Sequence, residues 1–168
     1  MAAHLEESPK RARAVFLDDS VEVECSFSDA RTRFCSDGGW LAPMATRATD
    51  EGEHYLRVGP GGSGRGQMEV SIRLGACSGK GETSVVPIRW EATRLCKLFP
   101  VLDGNVELVP LGEGRCRLGL QASYRPPLDG VGRLLDHALL HKVAVATIGS
   151  FLAQVAHSLE GQDQERVS

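Results

Sequence analysis

From Tyr124 the chain reads YRPPLDGVGRLLDHALLHKVAVATIGSFLAQVAHSLEG, a double-proline turn followed by one long amphipathic stretch. At about 100° per residue, Leu134, Val145, Ile148, Leu152, Val155 and Leu159 fall on one stripe. Lys142, Ser150, Ala153, Gln154 and His157 lie largely opposite. The pattern predicts a helix from near Leu128 to Gly161, a residue type suited to a helix end. Upstream, from residue 53, apolar residues recur at every second position instead. EHYLRVG, QMEVSIRLGA, TSVVPIRWEAT, GNVELVPL and GRCRLGLQASY read as consecutive strands parted by Gly-rich or Asp-Gly turns. In the third of these Val86, Ile88, Trp90 and Ala92 share a face, with Arg89 and Glu91 on the other. One dry and one wet face is the mark of an antiparallel sheet covered on one side. Only the terminal helix is long enough to cover it, and a helix laid across a curved sheet encloses space.

Ahead of these strands, SVEVECSFS alternates as well, with Val21, Val23, Cys25 and Phe27 on one face. Two short helices are predicted next. Asp29 caps one that runs through Phe34 and stops at Gly38-Gly39. The other covers Trp40 to Ala48, with Leu41 and Met44 as its apolar side and Trp40 as an anchor against the sheet edge. Pro100 argues against a central strand in LCKLFPVLDG and puts Phe99 on an edge or a loop. The fold class that follows is α+β: a curved antiparallel β-sheet wrapped on a long C-terminal α-helix, with two short helices after the first strand. Residues 1–19 read as a loose lead-in, 20–161 as a single domain and 162–168 as a frayed tail.

Composition narrows the class. At 168 residues, 42% apolar and 24% charged, the chain can build one ordinary core without staples. A net charge of −3 with scattered arginines gives no basic surface for nucleic acid. The five cysteines are odd in number and widely spaced, and no C-x-x-C occurs. That excludes a zinc knuckle or thioredoxin motif and argues against a disulfide framework. They read as small apolar residues in a reducing cytoplasm. The N-terminus lacks the apolar run of a signal peptide, and Val143 to Ala156 reads as too short to span a bilayer. The expectation is a soluble cytoplasmic protein without stable membrane insertion.

His137 and His141, four residues apart, project within the apolar stripe. They would either place acid/base groups in an apolar cavity or bond backbone carbonyls at the sheet's rim. The string HALLH lacks a Glu beside the first His and a third ligand, so no metal is expected. GPGGSG at 59–64 matches G-x-G-x-x-G in form, but a strand follows where pyrophosphate binding needs a helix N-terminus. No cofactor is expected. No nucleophile constellation is visible, and the carboxylates Glu22, Glu24, Glu91 and Glu107 fall on wet faces. Trp90 and Tyr124 point inward from strands, either lining a cavity or filling a core, and Arg125 would stand either at the cavity mouth, facing an acidic ligand group, or, as is commoner, on an exposed turn.

The chain resembles the START-like, or SRPBCC, superfamily, and within it a bacterial polyketide cyclase/dehydrase-like branch. The resemblance rests on DGGWLAP at 37–43, VVPIRWEA at 85–92, LFPVLDGNVELVPL at 98–111 and SYRPPLDGVGRLLDHALLHKVA at 123–144. It covers roughly residues 20–160 and implies a helix-grip fold with a hydrophobic cavity between sheet and terminal helix. It brings no superfamily-wide catalytic motif. The expected function is binding of a small hydrophobic or amphipathic molecule, lined by Trp90, Tyr124, Leu134, His137, His141, Val145 and Ile148. A cyclase or dehydratase on a polyketide-like substrate, and a protein-interaction module with a filled core, are the alternatives.

Overall fold

The computed structural model describes residues 13–61, 66–94, 101–125 and 137–161. The period-two segments form strands and the terminal stretch a helix. In order they are β1 (Val15–Val23), α1 (Phe27–Phe34), a 3-10 turn (Gly39–Leu41), β2 (Ala45–Ala48), β3 (Glu53–Val58), β4 (Met68–Leu74), β5 (Ser78–Lys80), β6 (Thr83–Ala92), β7 (Leu102–Gly112), β8 (Arg115–Tyr124) and α2 (His137–Glu160). The strands make one sheet in the order β1-β8-β7-β6-β4-β3-β2, with β5 paired to β6 and every pairing antiparallel.

Register lines side chains up in rows across the concave face. One row runs His54, Ile72, Trp90, Leu102, Tyr124, Val15. The next runs Leu74, Ile88, Gly104, Ala122, Leu17. The convex face is polar, with exposed ion pairs such as Arg89–Asp103 at 2.9 Å and Arg115–Glu22 at 3.3 Å. Pairs of this kind add little stability and chiefly keep the face wet.

α2 lies along β1. Gly149 sits over Asp19, and one end is tied where Glu24 N donates to Glu160 Oε1 at 2.9 Å. Arg33 Nη1 donates to the Leu159 carbonyl, joining α1 to the same end. Ile148, Phe151, Leu152, Val155, Ala156 and Leu159 are buried against the sheet and α1. Gly161, at φ 75°, closes the helix as expected.

A break between β4 and β5 has a chemical cause. Gly75 N donates to the Pro87 carbonyl at 2.8 Å, and in an antiparallel pair Pro87 would return an N–H, which proline lacks. A Cβ on Gly75 would lie 2.9 Å from the proline ring, so the strand opposite must also be bare there. The ladder resumes at Ser78↔Val85. Cys77, released in that gap, is bonded to Cys35 at the end of α1, with Cα atoms 5.2 Å apart.

Several expectations are corrected. β1 begins at Val15, so residues 15–19, read as lead-in, are strand, and Leu17 is in the core. Ser26, not Asp29, caps α1: its Oγ accepts from Asp29 N at 3.2 Å and donates to Asp29 Oδ2 at 2.7 Å. The second short helix is a single 3-10 turn, and Ala45–Ala48 leaves it to pair with β3 as an edge strand. Two cysteines read as free apolar residues form the Cys35–Cys77 disulfide; Cys25 and Cys116 remain thiols whose pKa burial raises. By length and composition Ala138–Glu160, with mean hydropathy 1.4, would suffice to cross a bilayer, because the helix extends past the run Val143–Ala156 at both ends. In this fold its second half is core instead. The predicted helix start near Leu128 lies outside the described residues, as do Phe99 and Pro100.

Candidate functional site

The row Trp90, Leu102, Tyr124, Val15 reaches the sheet end over which α2 begins. Strand alternation brings these side chains to the concave face, and register makes Trp90 and Tyr124 neighbours on either side of Leu102. All three are buried. Phe151 comes down from α2 onto Trp90, ring centroids 5.6 Å apart and planes at 84°, the edge-to-face arrangement aromatic quadrupoles favour. Ile148 sits one turn earlier on the same face and is also buried.

Tyr124 and Trp90 each carry a polar group into this apolar setting. Among the described residues neither the Tyr124 hydroxyl nor Trp90 Nε1 has a hydrogen-bond partner. Burial raises the Tyr124 pKa and keeps its phenol neutral, able to donate or accept. Arg125 follows and is exposed. The arrangement presents an apolar row with an aromatic residue on either side of Leu102, each carrying one polar atom. No nucleophile or acid/base pair is assembled here among the described residues, and no group of metal-binding side chains occurs among them.

The histidine assignment fares differently. Leu134 lies outside the described residues, and of His137 only the backbone, at the start of α2, is described. His141 is exposed and Val145 is 40% exposed, so neither is part of the packed core beneath α2. Helical phase is not the reason. His141 and Leu159 stand five turns apart at the same angle around the helix, yet Leu159 is wholly buried. The second half of α2 has β1, β8 and α1 against it, whereas its first turns leave Leu139, Val143 and Val145 exposed.

Three residues of the site went unread in the sequence. Leu102 follows the ambiguous Pro100 segment, and Phe151 was not counted on the stripe. Asp19, half-buried on the concave face, has a carboxylate oxygen 3.1 Å from where a Gly149 Cβ would stand. The alternation Val15, Leu17, Asp19, Val21, Val23 was the signal that could have found it.

A short helix after the first strand, a curved antiparallel sheet and a long C-terminal helix packed on its concave face define the helix-grip fold of START-like, or SRPBCC, proteins, including the Bet v 1-like group. Among solved structures the chain is similar to norcoclaurine synthase from Thalictrum flavum, crystallised with dopamine and hydroxybenzaldehyde, at 16% identity and TM-score 0.57 over 94% of this chain and 91% of that one. It is similar to the Zhui aromatase/cyclase from Streptomyces sp. R1128 at 13% identity and TM-score 0.57 over 93% and 99%. Ara h 8.0201 matches at 10% identity and TM-score 0.52 over 91% and 99%. At such identities the likeness is one of fold. No protein-family model and no curated protein matches the chain.

Proposed function

We propose that the protein binds a small hydrophobic or amphipathic molecule at the open end of the grip, between the Trp90–Leu102–Tyr124 row and α2. The observation that supports this reading is the pair of polar groups on Trp90 and Tyr124, which make no hydrogen bond among the described residues and remain accessible on otherwise buried rings in an apolar row. The helix-grip architecture supports it, since solved structures of that fold include one holding dopamine and hydroxybenzaldehyde. Native mass spectrometry of protein purified from its host should reveal a copurified apolar molecule. In solution, the neutral fluorophore 1-aminoanthracene should bind saturably, and Trp90→Ala should weaken it about tenfold. A folded Trp90→Ala variant that binds the fluorophore as well as the parent would sink the assignment.

A cyclase or dehydratase is the enzymatic reading, supported by the fold shared with an aromatase/cyclase. A bell-shaped pH–rate profile on a polyketide-like substrate would favour it. Exposed Leu139, Val143 and Val145 on the first half of α2 favour a third reading, an interaction module, for which Val143→Glu would abolish partner capture and leave fluorophore binding intact.

A further inference from the structure

α2 lacks the charged outer face of an ordinary surface helix. Toward the sheet it carries the core residues Ile148, Leu152, Val155 and Leu159. On the opposite side, at about 100° per residue, Leu139, Val143, Ala146, Ser150, Ala153 and His157 form a second stripe. Leu139 is 50% exposed and Val143 39%, and Ala146, Ala153 and His157 are exposed with them. The 24 residues of α2 hold two charged side chains, Lys142 and Glu160, in a chain that is 24% charged. Glu160 is already engaged, accepting from Glu24 N at 2.9 Å. A helix that is apolar all round belongs where both of its sides are covered, and the sheet covers one.

The arrangement of the outer stripe points to what covers the other. Its residues step by four and three in turn, the a/d spacing of a coiled coil, and the order of steps reads the same in both directions about the level of Ile148. Size follows the same symmetry: Ala146 and Ser150 flank the centre, and Leu139 and His157 stand at the ends. Two helices that cross at such a centre approach closely where side chains are small and diverge where they are large. A two-fold axis there sets Leu139 level with the second copy's His157, Val143 with its Ala153 and Ala146 with its Ser150. A contact of that kind is isologous and closes at two copies.

Charge selects the antiparallel sense. A parallel pair would bring the two Lys142 ammonium groups side by side, whereas the antiparallel pair sets them about 18 Å apart along the axis, beyond the screening length at physiological salt. The terminal strand of the sheet is the poorer surface for a second copy. β1 carries Asp18, Asp19 and Glu22, and carboxylates of this kind deter pairing at a sheet edge.

We infer that α2 pairs antiparallel with α2 of a second copy through this stripe, forming a reversible homodimer. One helix pair covers an area at the low end of specific interfaces, so dilution returns the protomer with the first turns of α2 open. The contact lies on the far side of α2 from the Trp90–Leu102–Tyr124 row and does not depend on what that row binds.

Sedimentation velocity over a dilution series tests this directly. The mass should rise from the 18.1 kDa protomer to twice that value, with a midpoint of about 10–100 µM. Val143→Glu sets an unpaired carboxylate in the seam and should weaken association at least about tenfold while 1-aminoanthracene binding persists. Adding Ala153→Lys puts an ammonium group of the second copy at the level of that carboxylate and should restore most of the loss; a parallel pair would show no rescue. A single 18.1 kDa species at every concentration, a dimer indifferent to Val143→Glu, or a double variant without rescue overturns the inference. So does a monomer that binds phosphatidylglycerol vesicles through Val143, which would make the stripe a lipid-facing surface. Loss of fluorophore binding with the dimer intact would count against the ligand site alone.

Discussion

Gly104 sits in the middle of the concave face between Ile88 and Ala122, and it has no room for a side chain. A Cβ there would collide with the Gln121 backbone carbonyl and with the Ala122 methyl, both held by the β7–β8 ladder. Gly104→Ala should therefore destabilise the fold by about 1–3 kcal/mol, read as a lowered denaturant midpoint; an unchanged midpoint would mean that the strands are not in this register. Tyr124 carries a different signature. Burial holds its pKa above the usual 10.0, so the folded state favours the neutral phenol. The stability tied to that proton is complete below pH 10 and falls as pH rises toward the higher folded value. The chain has two tyrosines, and the Tyr55 pKa is also raised, first by its hydrogen bond to Glu53. Tyr124→Phe should flatten the alkaline loss of stability and leave one phenolate step in the ultraviolet titration. If the vanished step lay at or below pH 10, Tyr124 would not be buried as described.

Among elements, α2 divides most sharply. Its second half packs Ile148, Phe151, Leu152, Val155 and Leu159 into the core, while its first half exposes Leu139, Val143 and Val145. Phe151→Ala removes the ring that caps Trp90 and should cost about 3–5 kcal/mol. Leu139→Ala, about three turns away on open surface, should change stability by no more than about 0.5 kcal/mol. Amide exchange should follow the same division, fast before Ala144 and slow from Ile148 onward. Uniform protection along the helix would contradict it. This division also explains how the site was read. The angular positions of His141 and Val145 were legible in the sequence, because helical phase is a local property. Their exposure was not, because cover depends on where the sheet ends. Asp19 and the first half of β1 were missed for a related reason: two acidic residues inside VFLDDSV hid an alternation that pairing with β8 completes.

At the scale of the molecule, Cys35–Cys77 ties α1 to the gap between β4 and β5 across 42 residues of chain. Closing a loop of that length restricts the unfolded state by about 2–4 kcal/mol. Cys35→Ser with Cys77→Ser should lower the denaturant midpoint accordingly while leaving the sheet's circular dichroism intact, and reduction of the parent should move its midpoint to the same place. No difference between oxidised and reduced protein would remove the bond from the account.

Alternation in five segments and one long amphipathic run determined the sheet, the terminal helix and their order, because side-chain periodicity fixes which face of each element must leave water. Partners far apart in sequence were decided only by the tertiary structure. Pro87 opened the gap that sets Cys77 against Cys35, β1 took the concave place beside β8, and the end of the sheet left the first turns of α2 uncovered. Each of those outcomes depends on what a residue meets across the fold, and period and composition contain no term for that.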